Sequence, residues 1–412
     1  MKLSIIICAY NTKKEYLCKC LESIKGSTLS KYENEYEICL VDDGSTLDYS
    51  DLVCDFGVKY KKTENKGIFS ARKTGIELSS GEYAIFVDSD DCVSFNYHLP
   101  MLNEAIKSGA DIVINDWAFY NGSLRYYPKN DPTIKNNLDL KGIDALGAFL
   151  SNKGKSHSFF VLWNKLFKAS ILKNAVKKIK EIDSLNMLSY GEDALINFFA
   201  FKEAKYVKNV HVGYYFYRTH ENQVVNTSSY EGLKKQVLEM SKVLDIMEEN
   251  IKNETEEKML SAHIKEWRAL CARFHYSRAR AEKYSDLYDY IKEQYGVFKN
   301  QKAKGKDSRA YFSKKLLGDN FEEVEKSLKS LWQSSSAKNV EYKNDAYTKA
   351  SIKFLLSEGK ITADSTHPYD IKIPKLKSSL KHKLIYNPFL YRIGLLVFRK
   401  NSKIRGKLKK HI

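Results

Sequence analysis

Three polar clusters follow directly on short apolar runs, and each could do chemistry on a ligand. Tyr10-Asn11 follows Leu3–Ala9, Asp42-Asp43-Gly44-Ser45 follows the run 37–41, and Asp88-Ser89-Asp90-Asp91 follows the run 83–87. An aromatic ring, a carboxylate pair and an acidic triad would form a ligand site if the chain brought them together. Asp88-x-Asp90 suits a hard divalent cation. Mg²⁺ usually takes one or two protein carboxylates, with phosphate oxygens and water completing its shell. In isolation the same residues serve turns and helix N-termini. Their position at the ends of apolar runs favours the ligand reading.

The elements that must position these clusters read as alternating strand and helix. Runs 3–9, 37–41, 83–87 and 111–115 are short, apolar and rich in Ile and Val, which suits strands buried on both faces of a parallel sheet. Between them Leu17, Cys20, Leu21 and Ile24 recur at helical spacing, as do Ala71, Gly75 and Leu78, then Leu102, Ala105 and Ile106. The expectation is an α/β domain with a mainly parallel, Rossmann-like sheet, whose ligands lie outside the carboxyl ends of the strands. Neither G-x-G-x-x-G nor G-x-x-x-x-G-K-[ST] follows the first strand, which argues against dinucleotide and P-loop sites. Further along, 159–167 is apolar and aromatic, 190–200 begins Gly-Glu-Asp and turns helical, and 207–217 reads as one strand. After about residue 225 the pattern is helical, over 231–251, 256–290, 321–332 and 346–356.

The chain has 412 residues, 43% of them apolar and 29% charged, a globular composition with room for two or three domains. Its formal charge is +17, but residues 372–412 hold thirteen Lys and Arg and no Asp or Glu. The first 371 residues therefore carry only about +4, and nucleic-acid binding is not implied. No run of 18 apolar residues occurs, and residues 2–10 lack the features of a signal peptide. The seven scattered cysteines fit reduced thiols in a cytoplasmic protein.

Several motifs carry a family resemblance. SIIICAYN at 4–11, LVDDGST at 40–46, NKGIFSARKTG at 65–75, FVDSDD at 86–91 and GEDALINF at 191–198 resemble, in order, those of family 2 glycosyltransferases of the GT-A fold. VLWNKLF at 161–167 and YYFYRTHEN at 214–222 are similar to the family's acceptor-side elements. The resemblance covers about residues 1–225. It implies a nucleotide-sugar donor, a UDP-sugar by preference, held by Ala9, Tyr10, Asn11, Asp43, Asn65, Gly67, Arg72, Asp88, Ser89 and Asp90. Tyr10 would lie against the uracil, Asp43 would accept its N–H, and Arg72 would approach the base or diphosphate. Asp88 would contact the ribose, and Asp90 would ligate Mn²⁺ or Mg²⁺, with His220 near the metal or diphosphate. Asp193 would be the catalytic base of an inverting transfer, with Glu192, Trp163 and Lys165 on the acceptor side. The sequence departs from the family's usual pattern at Cys8, at Lys73 after Ala-Arg, and at Gln223.

The expected organisation is a GT-A domain at 1–225, a helical region at 226–370 and a basic amphipathic tail at 371–412. The tail mixes basic residues with Leu384, Ile385, Phe389, Leu390 and the apolar stretch 395–398, a pattern for an anionic membrane surface. That would place the protein on the cytoplasmic face of the membrane, where a lipid-linked or surface-glycan acceptor meets its donor. The helical region is open to core, cleft-shaping or homo-oligomer roles. Two rivals differ in kind. One is a nucleotidyltransferase, against which Asn11-Thr-Lys-Lys stands in place of a Gly-rich loop. The other is a catalytically silent adaptor of a glycan-assembly complex.

Overall fold

The computed structural model describes residues 2–29, 35–120, 124–126, 137–151, 157–180, 188–218, 229–252 and 257–296. The expected helices at 321–332 and 346–356, the basic tail and His220 lie outside the described residues.

One large sheet forms the centre. Its strands are β1 (Leu3–Ala9), β2 (Tyr36–Asp42), β3 (Lys59–Lys62), β4 (Tyr83–Asp88), β6 (Ile112–Ile114), β9 (Asp139–Lys141), β10 (Lys165–Lys168) and β11 (Tyr206–Asn209). Their order is β3-β2-β1-β4-β10-β6-β11-β9. The β3-β2-β1-β4 half is parallel throughout, while β10 runs antiparallel between β4 and β6. A smaller sheet, in the order β5-β12-β7-β8, joins β5 (Cys92–Val93), β12 (Tyr215–Arg218), β7 (Trp117–Tyr120) and β8 (Leu124–Tyr126).

The sequence of β1 dictates its place. Successive side chains of a strand point to opposite faces, and this strand is apolar on both. Leu3, Ile5, Ile7 and Ala9 join one core, while Ile6 joins the other. Helices α1 (Lys14–Lys25), α2 (Ser50–Phe56) and α4 (His98–Ser108) contribute to the first core; α3 (Ile68–Leu78) packs against β1 and contributes to the second. The helical spacing in α1 is realised directly, with Leu17, Cys20, Leu21 and Ile24 all buried.

The second core continues through α5 (Ile143–Ser151), α7 (Ala169–Lys180) and α8 (Glu192–Glu203) into α9 (Tyr230–Glu249), α10 (Glu257–Ala281) and α11 (Leu287–Gln294). A short α6 (His157–Phe160) precedes β10. The helices after residue 229 are therefore continuous in packing with the sheet.

Two expectations are corrected. The run 207–217 is two strands in two different sheets, because Gly213 at φ 79° breaks it. A Cβ there would meet the Asn96 carbonyl at 2.6 Å. The run 256–290 is two helices, parted near Lys283, whose φ is 63°. None of the seven cysteines is in a disulfide. Among the described residues no helix is long and apolar enough to cross a membrane.

Candidate active site

Strand register brings the three polar clusters together. Ala9 pairs with Asp42 and Cys8 with Asp88, so β2, β1 and β4 end side by side. Tyr10 emerges from β1 with its ring 55% exposed. Asn11, in the left-handed region at φ 50°, turns its amide oxygen to the Thr46 N–H and hydroxyl, both at 2.9 Å. Its own N–H donates to Ser45 Oγ. Asn11 thus ties the first strand end to the second.

The second end divides its two carboxylates. Asp42 is fully buried and structural, accepting from Ser45 N–H at 2.8 Å and from the Tyr60 hydroxyl at 2.8 Å. Asp43 accepts from Lys66 N–H at 3.0 Å, and its burial pushes its carboxyl up while these hydrogen bonds pull it back. The loop bearing Asn65 and Gly67 lies hard against this turn. Gly44 has φ 78°, and a Cβ on it would sit 2.6 Å from Asn65 N. Gly67, at φ 85°, opens α3.

Arg72 stands on the face of α3 that meets the sheet, one turn before Gly75. A Cβ at Gly75 would come within 2.3 Å of Ile6 Cγ2, so glycine is what lets the helix press onto β1. Arg72 is only 5% exposed and faces three carboxylates. Its guanidinium pairs with Glu192 Oε1 at 2.6 Å, with Asp193 Oδ1, and with Asp88 Oδ1 at 3.5 Å. Burial alone would lower its pKa, but Asp193, Glu192 and Asp88 outweigh that and raise it. Asp88 is itself pushed up to about 7, by burial first and then by Asp193 and Asp90, with Arg72 opposing. Glu192 is likewise pushed up to about 7 by burial and by Asp193, again against Arg72.

Glu192 and Asp193 open α8, where the helix dipole favours negative charge. The approach to this helix end rests on α9. Ser189 donates from its N–H and its hydroxyl to Glu239, and Gly191, at φ 88°, leaves Met240 and Val243 close behind it. Residues 120 positions apart thus meet at one cation, and the strand-end cluster and the start of α8 form one site.

In the acidic loop after β4, the Ser89 hydroxyl lies 2.7 Å from Thr12 Oγ1. Asp91 is fully buried, with both carboxylate oxygens engaged by Arg218 N–H and the Tyr215 hydroxyl. That leaves Asp90, partly exposed, and Asp88, whose side chain is 33% exposed, as possible ligands of a cation. Among the described residues no group of three or more His, Cys, Asp or Glu gathers as a cage. Two carboxylates fit an ion that completes its shell with phosphate oxygens and water.

Two expected acceptor-side residues lie elsewhere. Trp163 is 2% exposed and stacks on Tyr215 with ring centroids 4.2 Å apart. Lys165 is fully buried and its ammonium donates to the carbonyl of Val161 and to Asn164 Oδ1. Trp163 belongs to the packing behind the acidic loop, and Lys165 is an interior residue beside Val161 and Asn164. The residues overlooked were Asp91, Tyr215 and Arg218. The third aspartate of the run was visible, but its partners lie on β12, more than 120 positions away.

The comparisons with known proteins agree with this geometry. Residues 4–173 match the family model described as Glycosyl transferase family 2, so the resemblance holds over that segment. The chain is 32% identical over 201 residues to the glycosyltransferase GlyA of Streptococcus pneumoniae, covering 46% of this chain and 28% of that protein. It is 30% identical over 224 residues to the poly(ribitol-phosphate) beta-glucosyltransferase of Bacillus spizizenii, covering 53% and 32%. The chain thus spans less than a third of the length of either relative. Among solved structures, S. aureus TarS 1–349 in complex with UDP-GlcNAc superposes with a TM-score of 0.54 at 18% identity, covering 80% of this chain and 92% of that one. The architecture is the α/β GT-A fold, followed by helices.

Proposed function

We propose that residues 1–225 form a metal-dependent, inverting glycosyltransferase site that moves a hexosyl or N-acetylhexosaminyl group from a UDP-sugar to a hydroxyl of a surface-glycan or lipid-linked acceptor. The observation that carries this reading is Arg72, which joins Asp88 at the donor strand end to Glu192 and Asp193 at the start of α8. The TarS complex with UDP-GlcNAc supports the donor class, and the glucosyltransferase relative supports a hydroxyl-rich polymer as acceptor.

In this reading Tyr10 offers an exposed ring to the base, and Asp43 accepts from the base's N–H. Asp88 meets the ribose and Asp90 holds Mn²⁺ or Mg²⁺, which when bound neutralises charge on the diphosphate leaving group. Arg72 adds a fixed positive charge in a site shielded from water, where preorganised charge counts most. Asp193 takes the proton of the acceptor hydroxyl as the sugar becomes oxocarbenium-like, a role worth roughly 10²–10⁴-fold. Attack opposite the leaving group inverts the anomeric centre. Arg72 keeps Asp193 oriented until the acceptor arrives.

Calorimetric titration with UDP in Mn²⁺ and in EDTA, with UDP release measured on a panel of UDP-sugars, tests this. Asp193→Asn should abolish transfer and keep UDP binding. An Asp193→Asn variant with full transfer would overturn the base assignment, and a wild type that binds no UDP in Mn²⁺ would overturn the donor. The basic tail, 371–412, is proposed to hold the enzyme to anionic lipid. Equal binding to anionic liposomes with and without the tail would end that idea.

A further inference from the structure

The acidic loop is held from behind by groups that no ligand reaches. The Tyr215 hydroxyl accepts from Asp88 N–H at 2.9 Å and donates to Asp91 Oδ2 at 2.7 Å. Asp91 Oδ1 accepts from Arg218 N–H at 2.6 Å, and Arg218 Nε donates to the Asp90 carbonyl. The loop closes on itself through Asp91 N–H to the Asp88 carbonyl at 3.0 Å. The Asp88 N–H, the Asp90 carbonyl and the Asp91 carboxylate are thus pinned to one strand of the second sheet. That strand is itself fixed. Tyr215 is fully buried between Trp163 and Tyr97, and the Arg218 guanidinium lies 4.6 Å from the Tyr16 ring centroid.

We propose that Asp91, Tyr215 and Arg218 are positioning residues that set the aim of the Asp88 and Asp90 carboxylates, and that Asp91 is neither a metal ligand nor a donor contact. This rests on the UDP and divalent-cation reading above. A free four-residue turn carrying three carboxylates would splay by mutual repulsion. Here one carboxylate is turned inward and held by β12, while Asp88 and Asp90 stay partly exposed.

The test uses the full-length chain and three variants. Tyr215→Phe keeps the ring packing and removes both hydrogen bonds. Arg218→Lys keeps the backbone N–H to Asp91 and loses the guanidinium contact to Asp90. Tyr97→Phe is the packing control. Its hydroxyl donates to the Trp163 carbonyl at 3.2 Å in the same aromatic cluster and touches nothing in the loop. The quantity read is the gain in UDP affinity on going from EDTA to Mn²⁺. Groups that orient ligating carboxylates typically cost 10–100-fold in metal affinity when removed. Tyr215→Phe should lose at least about ten-fold of that gain, with UDP affinity in EDTA close to wild type. Tyr97→Phe should keep the gain. Amide exchange at 88–91 should quicken in Tyr215→Phe and in Arg218→Lys and stay unchanged in Tyr97→Phe. An unchanged Mn²⁺ gain in Tyr215→Phe, or an equal loss in Tyr97→Phe, overturns the inference while the donor reading stands. A wild type that binds no UDP in Mn²⁺ overturns both.

Discussion

Replacing Arg72 by methionine keeps most of the side-chain volume and removes one buried cation from between three carboxylates. Breaking a buried ion pair by deleting one partner costs about 3–5 kcal/mol, because the remaining charge is left uncompensated. A domain has about 5–15 kcal/mol to lose, so the variant should fold with a much lower urea midpoint. The pH dependence identifies the cause. Glu192 already sits at about 7, raised by burial and Asp193 and held down by Arg72. Without Arg72 its pKa rises further. A carboxyl raised in the fold contributes stability that is complete below its unfolded pKa and lost as pH rises through its folded pKa. Wild type and variant lose this contribution over different ranges, and the ranges part company above about pH 7. Between the wild-type and variant pKa values the difference changes by up to about 1.4 kcal/mol per pH unit. The variant's deficit should therefore be smallest at pH 6, where Glu192 is largely protonated in both folded proteins, and should grow as pH rises past 7, because the wild type has then finished losing this contribution while the variant is still losing it. Urea unfolding of both proteins at pH 6, 7 and 8.5 at fixed ionic strength measures this. A difference that stays constant across that range, or a deficit below about 1 kcal/mol throughout, would refute the ion-pair account.

Two further outcomes follow from packing and burial. Gly75→Ala puts a Cβ 2.3 Å from Ile6 Cγ2, so α3 must lift from β1. The expected loss is about 1–3 kcal/mol, with weaker UDP binding because Arg72 moves with the helix; an unchanged unfolding midpoint would contradict the close approach. His98 and His275 are both held near 3 by burial, with Arg278 adding to it at His275. Their folded pKa values are depressed, so they contribute stability above about pH 6.5 that is lost as pH falls, by up to about 1.4 kcal/mol per histidine per pH unit. The double variant H98Q/H275Q should show a flatter stability profile than wild type between pH 6.5 and 5, and identical slopes would rule the histidines out.

The parallel half of the sheet was legible because each of its central strands is apolar on both faces. The predicted run 3–9 is β1 to the residue, and 37–41 and 83–87 differ from β2 and β4 only at their ends. Helix α1 was legible for the corresponding reason, a stripe at 3.6-residue spacing. What pattern could not carry was the connection between sheets. Residues 207–217 are continuous in Val and Tyr, and only the left-handed Gly213 separates a strand of the large sheet from one of the small. The site shows the same division. Strand-end polarity marked Tyr10, Asp43 and Asp88, since neighbouring parallel strands end together. Lys165 read as an acceptor-side cation and is an interior residue, because a charged side chain in an apolar run gives no sign of which way it faces. Arg72 was visible in its motif, but its pairing with Glu192 and Asp193 depends on the start of α8 reaching α3 within the same core.

The charges gathered at the strand ends give a physical reason to look for a cation. Asp88, Glu192 and Asp193 surround one buried guanidinium, Asp90 adds its charge beside Asp88, and Asp88 and Glu192 are already driven toward the neutral form by burial and by their acidic neighbours. A diphosphate entering such a site brings further negative charge into low-dielectric surroundings, where like charges repel far more strongly than in water. Arg72 cannot offset the four carboxylates and the diphosphate together. A divalent ion arriving on the diphosphate would change the sign of its interaction with Asp90 and Asp88 from repulsion to attraction. The expected consequence is that UDP affinity falls steeply in EDTA and that Asp90→Asn, which removes one of the repelling charges, narrows the difference between Mn²⁺ and EDTA from both sides: weaker binding with the metal and stronger binding without it. If Asp90→Asn weakened UDP binding equally in both conditions, Asp90 would be a direct donor contact, and the charge balance would have to be met by Arg72 alone.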